Sequence, residues 1–544
     1  MLALGDLGRR LGLDADALQP YGPGVGKVSV TAARDRVARG VSGKLVLVTG
    51  MTPTRHGEGK TVTAIGLADA LTRAGASTTV CLRQPSLGPV FGIKGGATGG
   101  GRATVEPSAR INLGFTGDIH AVAEAHNLLA SLVDNHLFHG NPLGIDPDRR
   151  LWPRTLDVED RALRHVGTGV AEDPRQPPRS SAFVIAAASE VMAILALARD
   201  YADLKARLGR VIVAYHHDGT PVRAAELRAD GAMAALLRDA LEPNLVQTVG
   251  GTPALVHAGP FGNIAHGTCS RLSIELALAT SEFCVVEAGF STELGAEKFV
   301  DIVTPTLGHD VDAAVLVATL RALRYHGGAT DEASARPNLR AVEGGLANLA
   351  QHVENLGALG LAGTVALNRF PDDSPEEIDR VRRFCRELGL ALVESRAFDS
   401  GGEGCASLAE EVRRLAALGQ HSRPLCPAGT PAPEQVRRIV RGLYGGYDVS
   451  ELADALRDRE ELARIGELDG PVCVAKTPLS LSHDPRRLGR PRGFTPDVHR
   501  YSRSAGAGFT VAYLGTIETM PGLPTRPAAE LLDVTDGGQI VGLT

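Results

Sequence analysis

The sequence predicts an α/β protein with a mainly parallel sheet, and three observations carry the prediction. Leu45 to Val48 form an unbroken apolar run, as suits a strand buried on both faces, and Ile65, Ala68 and Leu71 follow at helical spacing. Further apolar runs alternate with helical patterns: VIVAY at 211, ALVHA at 254, FCVVEAGF at 283, AAVLVATL at 313, TVALNRFP at 364 and LALVES at 390. Between the first run and its helix lies Gly57-Glu58-Gly59-Lys60-Thr61. Glycines without Cβ atoms let backbone N–H groups approach phosphate oxygens, a lysine there reaches the β and γ phosphates, and a threonine hydroxyl can ligate Mg²⁺.

This junction reads as a P-loop-like phosphate cradle, with Thr54 where the consensus G-x-x-x-x-G-K-[ST] has its first glycine. The nucleotide-binding candidates are therefore Thr54, Gly57, Glu58, Gly59, Lys60 and Thr61, and Thr61 is also the metal candidate. The plain alternative is a glycine-rich turn entering an ordinary helix; the order strand, loop, helix favours the cradle.

At 544 residues the chain exceeds one ordinary core, so two to four domains are expected. A composition 43% hydrophobic and 22% charged suits a soluble globular protein, and no run reaches the ~18 apolar residues of a membrane span. The opening MLALGDLGRRLGLDADALQPYG lacks the long apolar centre of a signal peptide, and a cytoplasmic location is expected. A net charge of −6 argues against nucleic acid as a general partner, and the basic stretch RRLGRPRG at 486 to 493 reads as a solvated loop or an intersubunit contact, with no interleaved aromatic platform. Seven scattered cysteines, never spaced C-x-x-C, indicate neither zinc nor a disulfide framework. His216-His217-Asp218 follows a strand-like run, where adjacent side chains diverge, so metal ligation is disfavoured.

In chain order, residues 1 to 43 read as a polar, helical lead-in. A second strand, Thr78 to Leu82, runs parallel to the first and brings Arg83 to the carboxyl edge beside the cradle, where ligands bind in open α/β sheets. An arginine fork suits a carboxylate or phosphoryl group. The glycine-dense stretch from 91 to 140 contains Asp118 and His120 before a helical pattern, as candidates to hold a metal, a cation or a proton, or alternatively as helix-start hydrogen-bonding groups. Residues 169 to 182 are the clearest breaker cluster and read as a surface loop. Phe261, Phe290, Phe370 and Phe398 stand just beyond strand-like runs and could form a slot for a flat ring. Residues 427 to 470 are polar and helix-rich, and strand-like runs return in the tail, as in PVCVAKTP and GFTVAYL.

These residues resemble one family almost end to end, the formate–tetrahydrofolate ligases. The segments that carry the resemblance are GEGKT at 57, PSLGPVFGIKGGATGGG at 85, INLGFTGDIHA at 111, NLLASLVDNH at 127, NIAHG at 263, EAGFSTELGAEKF at 287, ALNRFP at 366 and GGEG at 401. The resemblance implies a P-loop-like nucleotide domain (1 to 337) with two smaller α/β domains, 338 to 430 contributing to the folate site and 431 to 544, in a homotetramer. It implies ATP-dependent formylation of tetrahydrofolate through formyl phosphate, with Mg²⁺ and an activating monovalent cation. Lys60 and Arg83 would be catalytic, with Asp118 and His120 beside them. Arg83, Gln84, Phe290, Phe370, Pro371 and Phe398 would contact substrates.

Four departures from the family pattern stand out: Gln84 for a glutamate associated with the monovalent cation, Phe398 for tryptophan, Gly250 for an acid, and Arg55-His56 for a Pro-Ala pair in the loop. Around 169 to 187 little of the pattern remains beyond Arg179 and Phe183. Two alternatives stay open: a divergent acyl ligase using another small carboxylate or amine, and a nucleotide-dependent switch or binding module in which Asn368-Arg369 reads a base.

Overall fold

The computed structural model describes residues 2 to 169 and 178 to 543. Its centre is a 12-stranded sheet. In chain order its strands are β1 (Leu18–Pro20), β2 (Gly26–Val28), β3 (Lys44–Gly50), β4 (Thr78–Leu82), β5 (Gly99–Gly100), β6 (Ala103–Glu106), β7 (Asn244–Thr248), β8 (Pro253–Val256), β9 (Phe283–Glu287), β10 (Ala313–Ala318), β11 (Gly363–Asn368) and β12 (Leu392–Ser395). The spatial order is β1-β2-β7-β8-β4-β9-β3-β10-β11-β12, with β6 pairing β7 and β5 pairing β6. From β8 to β12 all neighbours are parallel, while β7 runs antiparallel to β8, β2 and β6. The fold is thus α/β and mainly parallel, with an antiparallel margin.

Strand β3 explains its own apolar run. Leu45 and Leu47 enter one core and Val46 and Val48 the other, all without exposed surface, because successive side chains of a strand leave on opposite faces. Helix α1 (Lys60–Arg73) covers the second face. The polypeptide leaves β3, β4, β8, β9, β10 and β11 at one edge of the sheet, so the loops after these strands share one rim.

Two expectations need correction, and the remaining segments take their places around the main sheet. The lead-in contributes strands β1 and β2 as well as helices. The VIVAY run is not part of the parallel sheet: Ile212–His216 lies between Ile145–Arg150 and Pro221–Arg223 in a small antiparallel sheet. The breaker cluster falls partly on residues 170 to 177, outside the described residues; on either side, Val166–Thr168 and Arg179–Ser181 pair antiparallel. Strands β11 and β12 extend the main sheet from within segment 338 to 430. In the tail, Val472–Ala475, Phe509–Tyr513 and Arg500–Ser504 form a separate three-stranded sheet. The cysteines are all free thiols. Among the described residues no helix is long and apolar enough to cross a membrane, and no cluster of metal-ligating side chains occurs, His216-His217-Asp218 included.

Candidate active site

The loop after β3 turns through two left-handed glycines, Gly57 at φ 73° and Gly59 at φ 75°, a region that only glycine enters freely. Gly59 has a second constraint: a Cβ there would lie 2.3 Å from Nδ2 of Asn368, which donates to the Glu58 carbonyl at 3.3 Å. Glu58 is buried and turned into the protein, where Oε1 accepts the Thr54 N–H at 2.7 Å and Oε2 accepts the Thr319 hydroxyl. It braces the loop from behind. Asn368 does the same from β11. Arg55 and His56 stand on the exposed tip, His56 reaching Asp331 at 3.2 Å.

Lys60 opens α1, and its stem packs on Gly50, where a Cβ would lie 3.2 Å from the lysine Cδ. Burial holds its pKa below the usual lysine value, with Glu287 and Glu58 opposing and Arg83 adding to the drop. Thr61 donates its hydroxyl to Oε2 of Glu287 at 2.6 Å. Oε1 of the same carboxylate lies 3.7 Å from Nε of Arg83, which follows β4. Lys94, an exposed residue, joins this group electrostatically: desolvation and then Arg83 push it down to about 8, while Glu287 opposes and Lys60 adds. Three cations therefore gather around Glu287, an arrangement suited to polyanions.

The rim next to Arg83 holds buried polar atoms without a hydrogen-bond partner among the described residues: Arg83 Nε, Gln84 Oε1, and both ring nitrogens of His266. Buried polar atoms ordinarily find partners, so this grouping is characteristic of a place where ligands enter. Burial and then Arg83 push His266 down to about 3, which keeps the imidazole neutral. Lys298 pins its turn by donating to the carbonyls of Gly262 and Asn263 at 2.7 and 2.8 Å.

Phe290 sits on this rim at φ 60°, in the left-handed region that a bulky residue adopts only under constraint, at a cost of about 1–3 kcal/mol. Its ring flanks Gly262, and its carbonyl packs on Gly50. Phe370 and Phe398 are 42% and 53% exposed, large apolar surfaces left open at the ends of β11 and β12, with Pro371 exposed beside Phe370. Phe398 covers Gly100 and Gly101, and Phe370 lies 5.9 Å from the Arg321 guanidinium. Phe261 packs instead against the core built around Val191 to Leu197.

Asp118 and His120 do not join this group. Asp118 opens helix α2 (Asp118–Phe138), with Oδ1 on Lys27 at 2.8 Å and Oδ2 accepting from Asn244 at 2.7 Å, so its charge is committed to a buried ion pair. Removing one partner of such a pair costs about 3–5 kcal/mol. His120 is 79% exposed, 4.0 Å from Glu124. Gly250 is also remote from the cradle: a Cβ there would lie 2.5 Å from the carboxylate of Asp69, nine residues into α1, so the turn already holds one acid and has no room for another. The basic stretch at 486 to 493 packs on helix α3 (Leu339–Ala358), with Arg490 on Gln351 at 2.9 Å and also paired with Glu354.

The geometry is that of a polyanion cradle, an arginine fork and open aromatic faces on one rim, and comparison with known proteins decides which. The family model for formate–tetrahydrofolate ligase matches residues 1–544. The chain belongs to the formate–tetrahydrofolate ligase family. A formate–tetrahydrofolate ligase of Thermus thermophilus is 51% identical over 543 residues, covering 100% of this chain and 98% of that protein. One from a Psychrobacter species is 46% identical over 551 residues, covering 99% and 96%. Within this ligase family chain, reading by motif missed Glu287, Lys94 and His266. Glu287 had a usable signal, an acid closing the apolar run FCVV at the rim beside the cradle.

Proposed function

We propose that this chain forms 10-formyltetrahydrofolate from formate and tetrahydrofolate, using ATP and passing through formyl phosphate. The observation that carries the reading is the meeting of Thr61 and Arg83 on Glu287 beside Lys60, in a chain related along its whole length to ligases of that name.

The loop amides around Gly57 and Gly59, with Lys60, hold the ATP phosphates and offset charge on the γ-phosphoryl group as formate attacks it. Phosphoryl transfer is catalysed mainly by positioning and electrostatics, and donors already in place need no reorganisation. The Thr61 hydroxyl and Glu287 carboxylate are hard oxygen donors that fit Mg²⁺, which would supply further charge neutralisation at the phosphates. Arg83 grips formate and then the acyl phosphate in a planar fork. The tetrahydrofolate amine attacks the acyl carbon and phosphate leaves, while Phe290, Phe370, Pro371 and Phe398 line the ring-binding slot. Gln84, an amide where an acid is usual, gives a weaker site for a monovalent cation. A cytoplasmic homotetramer completes the reading.

The test is product formation by the purified protein. ADP should appear from ATP only with formate and tetrahydrofolate both present, alongside 10-formyltetrahydrofolate; tight ATP binding without that product, at saturating substrates and potassium, removes the proposal. Replacing formate by other small carboxylates in the same assay tests the divergent-ligase reading that Gln84 favours.

A further inference from the structure

Helix α3 buries a stripe of polar side chains, Asn348, His352 and Asn355, spaced four and three residues apart and all without exposed surface. A helix face inside a core is ordinarily apolar, and each polar group there needs a partner. His352 and the amide nitrogens of both asparagines find theirs on two loops of the cleft, while Asn348 Oδ1 has none among the described residues. Nε2 of His352 lies 2.8 Å from the Thr52 backbone nitrogen and 2.9 Å from Thr52 Oγ1, and Nδ1 lies 2.7 Å from Thr292 Oγ1. Asn348 donates to Thr52 Oγ1 and Asn355 to Thr292 Oγ1, each at 3.0 Å. Thr52 stands in the stem of the phosphate loop, and Thr292 follows Phe290 by two residues.

This geometry fixes the tautomer. A backbone N–H can only donate, so Nε2 is unprotonated and the single ring proton sits on Nδ1, donated to Thr292. Burial keeps the ring neutral, holding it down at about 4. Among the described residues the only carboxylate within ion-pairing reach is Glu293, whose Oε2, without a hydrogen-bond partner of its own, lies 3.7 Å from Nδ1 and whose Oε1 pairs with Lys476 at 3.2 Å. A shift of the loop stem that withdrew the Thr52 N–H would free Nε2 to take the proton, turn Nδ1 into an acceptor and reverse the hydrogen bond to Thr292. Two discrete arrangements of the ring would then each be favoured by one position of the loops it joins, as energetic linkage between sites requires.

We propose that His352 is a positioning residue that links nucleotide occupancy at the phosphate loop to the placement of Phe290, so that ATP and tetrahydrofolate each tighten binding of the other. The proposal rests on the reading of the cleft given under Proposed function. Its test is calorimetric titration of the intact protein with a non-hydrolysable ATP analogue and Mg²⁺, with and without saturating tetrahydrofolate. In the unmodified protein the folate should tighten analogue binding about fivefold or more. In His352→Leu that ratio should fall to within about twofold, while the analogue alone binds within about threefold of normal. Thr292→Val, which leaves the Thr52 half of the network intact, should give the same loss and covers the case in which the leucine variant fails to fold. Persistence of the full ratio in either folded variant overturns the proposal, as does equal loss of both affinities. Binding of both ligands to the unmodified protein without mutual effect removes the link alone; no tetrahydrofolate binding removes the functional reading with it.

Discussion

The hydroxyl of Thr61 lies 2.6 Å from Oε2 of Glu287, and the other oxygen of that carboxylate faces Arg83 at 3.7 Å. One acid at the end of β9 thus serves both the loop after β3 and the cation after β4. Glu287→Gln keeps the shape and one acceptor oxygen but removes the charge. The Mg²⁺ concentration for half-maximal ADP formation should rise about tenfold, and kcat should fall about 10²-fold, as when a charged group is lost from a reaction centre. A Mg²⁺ titration of the steady-state rate checks this, and an unchanged requirement would take Glu287 out of the metal site.

Arg83 borders the cleft, with Nε unpaired apart from its long contact to Glu287. Arg83→Ala should lower formyl transfer about 10³-fold while the ATP analogue binds within about threefold of normal, since the loop amides and Lys60 remain. Parallel assays of product formation and analogue affinity separate the two, and equal loss of both would count against an acyl-phosphate role.

Phe290 occupies a left-handed backbone conformation. Phe290→Gly should leave Tm within about 3 °C, because relief of about 1 kcal/mol of strain offsets the lost packing of a half-buried ring. The KM for tetrahydrofolate should rise about tenfold if the ring stacks on it, and initial rates at varied folate concentration measure that.

Lys94 is held down at about 8 against an ordinary 10.5. If its charge helps stabilise the phosphoryl group, kcat should fall as pH rises through about 8. Lys94→Arg, charged throughout, should hold the rate to about pH 9.5, and Lys94→Met should be slower and lack that limb. Folding stability should move the other way. The unfolded chain keeps its proton to a higher pH than the folded one, so stability contributed by this group rises with pH between about 8 and 10.5. Rate and thermal-denaturation profiles over that range distinguish the two effects.

The parts legible in the sequence are local ones. Strand, loop and helix from Leu45 to Leu71 are adjacent in sequence, and their glycine, lysine and threonine stand within a few residues of one another. Arg83 was legible because a strand end reports its place on the rim. Asp118 was not, because Lys27 and Asn244, which claim its two oxygens, lie 91 and 126 residues away. Gly250 looked like a site change until the fold set it against Asp69. The VIVAY run lies in a separate antiparallel sheet, a placement its pattern does not report, because apolar periodicity identifies a strand but not its neighbours.

Strand β3, which feeds the phosphate loop, lies between β9 and β10, and Asn368 at the end of β11 supports the loop from beneath. During synthesis, then, the Gly57 to Thr61 segment leaves the ribosome long before the two strands that flank β3 and the amide that underpins Gly59. The nascent chain carries β3 with both hydrogen-bonding edges open until Glu287 has emerged and with one edge open until Ala318 follows, and the loop gains its complete support only after Asn368. The loop can therefore take its native shape only late in synthesis, after most of the sheet that surrounds β3 has been made.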